Sequence, residues 1–213
     1  MNLGILLTGI SHLTHNERWP IPRSYISCKQ NYIDEFYTPL SKKFKQCKVF
    51  LATYKSSESE NILNFYNPSK YIFLDSVNSH QIKTFISGLD LIEDCNDIDY
   101  FIVTRFDIFF NPGQLSKLKF DLNKFNFLCK EKDYWESHQF VNDCFYFLPK
   151  KYLPHLKLSC QQLLLNPPRP PLMDMHGLYK WMKQNIQEYN INFLSDSHYN
   201  SGGNEIYSLK RLR

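Results

Sequence analysis

Six short apolar runs, separated by segments of helical period, constrain this chain more than any other feature. Residues 3–8, 48–53, 70–74, 100–104, 125–129 and 144–148 are rich in β-branched or aromatic residues. Each ends in polar or turn-forming residues, as a strand does. Between them, Ile33, Phe36, Tyr37, Leu40 and Phe44 keep helical spacing, with Pro39 expected to kink or end that helix. Ile82, Phe85, Ile86 and Leu89 form a cleaner stripe. A third comprises Met175, Leu178, Tyr179, Met182, Ile186 and Tyr189, with Asp174 placed as its cap after a proline-rich stretch at 166–171.

Strands that alternate with helices over the first hundred residues imply a largely parallel sheet covered on both faces. The expected fold is therefore α/β, a central mixed, mostly parallel sheet of about six strands flanked by helices. With 213 residues, one domain is the better expectation. Ligands of such sheets bind outside the carboxyl ends of the strands. Interest therefore falls on residues 9–12, 54–57, 75–76 and 105–107.

Composition narrows the function classes. Hydrophobic residues make up 43% and charged residues 22%, which excludes overall disorder. No apolar run approaches the roughly 20 residues that cross a bilayer, and no secretory signal is evident. A net charge of +4 is too mild for nucleic acid but suits a small anionic ligand. The six cysteines are spread widely and include no C-x-x-C pair, so zinc spacing is absent and a reducing cytoplasm is expected. Lysine outnumbers arginine 19 to 6, which suggests that arginine is kept where its planar fork matters. The chain stops at Arg213 soon after its most polar loop, as a domain of a longer polypeptide would.

Four segments carry chemistry. At the end of the fourth apolar run, Arg105 and Asp107 share one side by the two-residue period of a strand. They form an ion pair or loop cap, or else the carboxylate holds a divalent cation while the arginine meets a ribose or phosphate oxygen. Residues 195–205 contain Gly202, Gly203 and His198. This is a solvated loop, or a loop whose glycines let backbone N–H groups approach phosphate. Residues 133–143 gather acids, a tryptophan, a histidine and an amide. Either it is a surface loop with Trp135 packed inward, or Trp135, His138, Asn142 and Asp143 form a sugar and acceptor site. In the first loop Gly9 permits a tight turn, and Thr8 and Ser11 are candidates for a base or ribose. Asp75 and Ser76 are further candidates for the nucleoside, or a helix cap.

The motif Thr104-Arg-Phe-Asp107 resembles the Asp-x-Asp signature of GT-A glycosyltransferases. The segments 4–9, 49–53 and 140–149 follow the order of such a domain, and the likeness spans essentially the whole chain. It extends to GT-A domains implicated in chlorella-virus capsid glycan synthesis. The resemblance implies a Rossmann-like GT-A domain, with a nucleotide-binding part over about 1–110 and a sugar and acceptor part over about 111–213. It implies transfer of a hexose or deoxyhexose from a UDP-sugar, UDP-glucose by default, to a carbohydrate or glycoprotein glycan. Asp107 and His198 would bind Mn²⁺ (or Mg²⁺), His176 being the competing histidine. Asp143 would be the base for an inverting transfer or an orienting group for a retaining one, with Glu136 in reserve. Two alternatives remain: a nucleotidyltransferase that makes nucleotide sugars, or a non-catalytic sugar- or nucleotide-binding module. The first usually has a Gly-rich, Arg/Lys-bearing loop after strand one, and residues 8–18 lack that density.

Overall fold

The structure, a computed structural model, describes residues 1–13, 23–75, 81–131, 133–166, 175–196 and 203–209. Its strands in chain order are β1 (Asn2–Gly9), β2 (His12–Leu13), β3 (Arg23–Ser24), β4 (Gln46–Tyr54), β5 (Lys70–Leu74), β6 (Tyr100–Arg105), β7 (Ile108–Phe110), β8 (Phe125–Phe127), β9 (Phe145–Pro149), β10 (Ile191–Phe193) and β11 (Tyr207–Leu209). Seven of them form one sheet in the order β10-β8-β9-β6-β1-β4-β5. Pairing is parallel except at β9, which runs antiparallel between β6 and β8. Two small antiparallel pairs, β2 with β3 and β7 with β11, lie outside it.

All six expected strands are present. The seventh, β10, is an Ile-Asn-Phe triplet too short and too polar at its centre to register as an apolar run. The helices are α1 (Lys29–Asn31), α2 (Thr38–Lys43), α3 (Ser59–Tyr66), α4 (Gln81–Ile92), α5 (Gln114–Lys117), α6 (Trp135–His138), α7 (Leu153–Leu165) and α8 (Leu178–Ile186). Pro39 does not end its helix. A π-helical stretch, Tyr32–Tyr37, joins α1 to α2, and the Thr38 N–H reaches back to the Ile33 carbonyl. The wider turn accommodates the proline ring, whose missing N–H falls in the first turn of α2. The expected cap at Asp174 lies outside the described residues.

Alternation along the strands sorts two cores, one on each sheet face. Leu6, Phe50, Ala52, Phe101, Val103, Tyr146 and Leu148 face α4, α7 and α8. Leu3, Ile5, Leu7, Leu51, Ile102, Phe145 and Phe147 face Tyr32, Phe36, Leu40, Ile62 and Tyr207. Gly88 brings α4 close to the sheet: a Cβ there would stand 3.0 Å from Ala52 and Leu6. This packing fixes where the first turn of α4 meets the carboxyl ends of the strands.

Candidate functional site

The sheet reverses its direction of growth at β1. The chain runs from β1 out to β4 and β5 on one side, then returns to place β6 on the other. The crevice between the carboxyl ends of β1 and β6 is thus a topological switch point, the usual ligand position in open α/β sheets. Thr8 and Arg105 are register partners there. The two-residue period puts Arg105 on the face of Phe101 and Val103, towards α4.

Arg105 leaves the sheet into a group of acids. Its Nε donates to Asp107 Oδ1 at 2.9 Å and one terminal nitrogen to Oδ2 at 2.7 Å, a bidentate fork. The other terminal nitrogen reaches Asp143 Oδ2 at 3.1 Å. The three side chains are only 11%, 4% and 4% exposed, so neither charge type has water to fall back on. Burial works against the Arg105 charge, yet Asp107 and Asp143 outweigh it and hold the guanidinium pKa well above its ordinary value.

Asp143 also accepts from Gln81 Nε2 at 2.9 Å and from the Cys144 thiol at 3.1 Å. Burial favours its neutral form, but His176, Arg105 and these two bonds prevail, so the carboxyl lies well below the usual carboxylate range. Gln81 opens α4. The Thr84 hydroxyl on the next turn donates to the Gln81 carbonyl at 2.7 Å and accepts from Gly9 N–H at 3.1 Å, locking this helix end to β1. His176, just before α8, places Nε2 3.9 Å from Asp143 Oδ1. Its Nδ1 lies 3.0 Å from the Val141 carbonyl and 3.2 Å from Glu131 Oε2.

Several expected site residues are occupied elsewhere. Thr8 and Ser11 are both 1% exposed. Ser11 is bonded to Thr53, whose hydroxyl also reaches the Gly9 carbonyl at 2.7 Å, and Thr8 reaches the Thr104 carbonyl at 3.4 Å. These hydroxyls shape the loop from within. Gly9, at φ +91°, makes the turn that lets the loop leave the sheet. Asn142 is fully buried, accepts from Cys144 N–H and donates to the Tyr207 hydroxyl. Trp135 packs on Tyr179 and Phe193 at ring separations of 5.0 and 5.5 Å, with the Lys130 ammonium over its ring. Glu136 and His138 are exposed on α6. Asp75 is exposed at the rim of a cleft of about 300 Å³ lined by Tyr54, Lys83 and Leu164. Gly203, at φ +133°, forms a bridge with Ser208. Ser76, His198 and Gly202 lie outside the described residues.

The structure thus gathers Arg105, Asp107 and Asp143, three residues named from sequence, and adds Gln81, Glu131 and His176. Gln81 carried no motif, and Glu131 stood just outside the acidic segment. His176 was legible only as a competitor for metal. Both oxygens of Asp107 accept from the Arg105 guanidinium, which supplies a counter-charge in this arrangement. Among the described residues no three histidine, cysteine or acidic side chains are grouped to hold a metal ion. No helix among them is long and apolar enough to cross a membrane.

No protein-family model and no curated protein sequence matches the chain. Solved structures do. A glycosyltransferase involved in the glycosylation of the major capsid of PBCV-1 shares 12% identity over 92% of this chain and 82% of its own, with a TM-score of 0.50. A nucleoside-diphosphate-sugar pyrophosphorylase from Vibrio cholerae RC9 shares 11% identity over 92% of both chains, with a TM-score of 0.52. At such identity the likeness is one of fold. The fold is that of a Rossmann-like GT-A domain, a mixed α/β unit on a mostly parallel seven-stranded sheet.

Proposed function

We propose that this chain is a glycosyltransferase that moves a hexose or deoxyhexose from a UDP-sugar to a carbohydrate acceptor. The reading rests on one observation: a buried, charge-compensated cluster stands at the switch point of a GT-A-like sheet, where a nucleotide sugar would lie. Arg105 is the residue with N–H groups beyond those bonded to Asp107 and Asp143, and these suit phosphate or ribose oxygens. Asp143 keeps its negative charge at neutral pH and suits stabilisation of positive charge as the sugar leaves its phosphate. Its depressed pKa makes it a weak base, which favours an electrostatic role over proton transfer. The part that viral capsid glycans play as acceptor is the further extension of this reading.

Thermal-shift measurements with UDP, GDP and CMP, followed by UDP-sugars, test the reading, since a ligand that binds the native state raises Tm by mass action. UDP and UDP-glucose should raise it most. Stabilisation by none of the nucleotides would overturn the reading. A parallel arm with Mn²⁺ tests the expectation that Asp107 and His198 share a cation. The pyrophosphorylase likeness in fold supports a second reading, synthesis of a nucleotide sugar from a sugar phosphate and a nucleoside triphosphate. Release of pyrophosphate from UTP and glucose 1-phosphate would select it, whereas hydrolysis of UDP-glucose selects the first.

A further inference from the structure

A groove runs the length of α3, on the sheet face opposite the one that carries Arg105. Two clefts that meet at Phe65 compose it. The first, of about 530 Å³, lies between Glu58, Asn61 and Asn64 on one side and Tyr25, Ile26 and Lys29 on the other. The second, of about 400 Å³, continues past Asn67 to Tyr32, Tyr37 and the start of β4 at Gln46. Tyr25 N–H donates to the Ser11 carbonyl at 2.7 Å, so one end of the groove adjoins the loop that leaves β1. The other end lies roughly 20 Å away, at the amino end of β4.

The lining combines amides with ring surface. Asn61, Asn64 and Asn67 recur every three residues, which sets three exposed amides along one side of the helix. Beneath them Phe65 stands edge-on to Tyr66 at 4.7 Å, and Tyr66 edge-on to Tyr32 at 4.9 Å. The charges are matched within the protein. Lys48 pairs with Asp97, Lys29 lies over the Phe65 ring at 4.7 Å, and Glu58 accepts from the Tyr25 hydroxyl and from Asn61. Burial pushes the Cys47 thiol up to about 11, so it stays neutral and unreactive. The Tyr32 hydroxyl is buried without a hydrogen-bond partner, close to Tyr37 and Cys47 of the same cleft. An unpaired buried hydroxyl is costly, and a ligand hydroxyl reaching between Tyr37 and Cys47 would relieve it.

We propose that this groove binds a neutral oligosaccharide, at a site separate from the Arg105 cluster. Amides and hydroxyls that both donate and accept match sugar hydroxyls, which do the same. The half-buried Phe65 and Tyr37 offer ring surface to the C–H faces of pyranoses. An anionic ligand finds its cations already engaged here, unlike at Arg105. The helix α3 spans about 12 Å, and the two clefts continue one another along it, so the shape suits a chain of sugars and not a single ring. The ligand class is read from this lining alone; that the bound chain is also the sugar acceptor rests on the function proposed above. A chain so held has one end beside the loop after β1, near the switch point, and the other anchored at Tyr37 and Asn67.

Nuclear magnetic resonance of labelled protein, titrated with maltohexaose, cellohexaose, mannohexaose and xylohexaose, tests the groove. At least one of these should shift the side-chain amides of Asn64 and Asn67 at millimolar concentration, and UDP should leave them unmoved. Asn64→Ala combined with Asn67→Gly should weaken that binding about tenfold. Both positions are exposed, alanine suits a helix and glycine suits the left-handed backbone at 67, so Tm and UDP-glucose hydrolysis should stay as in the wild type. Tyr32→Phe, which removes the unpaired hydroxyl, should raise Tm and weaken binding. Groove amides unmoved by every hexasaccharide, or equal affinity in the double variant, overturn the proposal. Groove amides moved by UDP instead mark a nucleotide site and overturn it as well. The transfer reading fails separately: hexasaccharide binding by a protein that neither binds UDP nor consumes UDP-glucose keeps the groove and removes the transferase. UDP-glucose turnover unmoved by the bound hexasaccharide overturns the acceptor role alone.

Discussion

Arg105 is the residue on which most of the site's electrostatics turn. Removing one member of a buried ion pair leaves an uncompensated charge and costs about 3–5 kcal/mol. Arg105→Ala is therefore expected to lower the free energy of unfolding by that order at pH 7, as denaturant titration would measure. The deficit should shrink on acidification, since Asp107 and Asp143 can then shed charge as protons. Mn²⁺ should restore part of the lost Tm in this variant and leave the wild type little changed, because only the variant lacks a counter-ion for the two carboxylates. Asp143 contributes to the pH response of the intact protein. Its folded pKa is depressed, so its stabilisation is complete above the ordinary carboxylate pKa of about 4 and is lost as pH falls below that value. Asp143→Asn should flatten this part of the acid-unfolding curve. A curve as steep as that of the wild type would assign the acid transition to other groups. The legibility of these residues in sequence was uneven for a physical reason. Arg105 ends β6 and Asp107 lies two residues on, in the turn before β7, so closeness in sequence alone pairs them. Asp143, Gln81 and His176 meet them only through strand order, which a local pattern does not encode.

Elements were legible where one face decides their pattern. Five of the six expected strands carry apolar runs because both sheet faces are buried along them, β5 at the edge being half-buried to exposed, and α4 carries a stripe because only one of its faces is buried. The helix α7 escaped notice because Leu158 and Leu165 are exposed, at 44% and 79%, and blur its stripe. Its buried set, Leu153, Leu156, Cys160 and Leu163, has the helical period all the same. Register gives a sharper expectation at β1. The Phe101 ring on β6 lies over Gly4, and a Cβ at Gly4 would fall 2.4 Å from it. Gly4→Ala should therefore destabilise by about 1–3 kcal/mol through overpacking, although alanine is the better residue elsewhere. Calorimetric unfolding checks this, and a variant as stable as wild type would mean that the ring has room to turn. Tyr207→Phe tests the tie from β11 to the segment before β9. It strips the buried Asn142 amide of an acceptor, at about 1–3 kcal/mol, without changing ring packing.

At the scale of the whole molecule, the order of the strands has a consequence for how the chain reaches this state. The first strand of this sequence, β1, lies inside the sheet, third from the β5 edge, and its two edges are claimed by β4 and then by β6. Residues 2–9 on one side wait for residues 46–54, and on the other for residues 100–105. Tyr207, fully buried, joins the same core as Leu3 from the opposite end of the chain. Such distant pairings make assembly slow, because loop closure precedes the contacts that reward it. During that interval Leu3-Gly-Ile-Leu-Leu7 presents a bare apolar edge of the kind that captures other chains. Refolding from denaturant should accordingly show a yield that falls as protein concentration rises, with Lys substitution at Leu6 abolishing folding and not rescuing it. An interior strand of the finished sheet thus stays open on one edge until residues 100–105 close it.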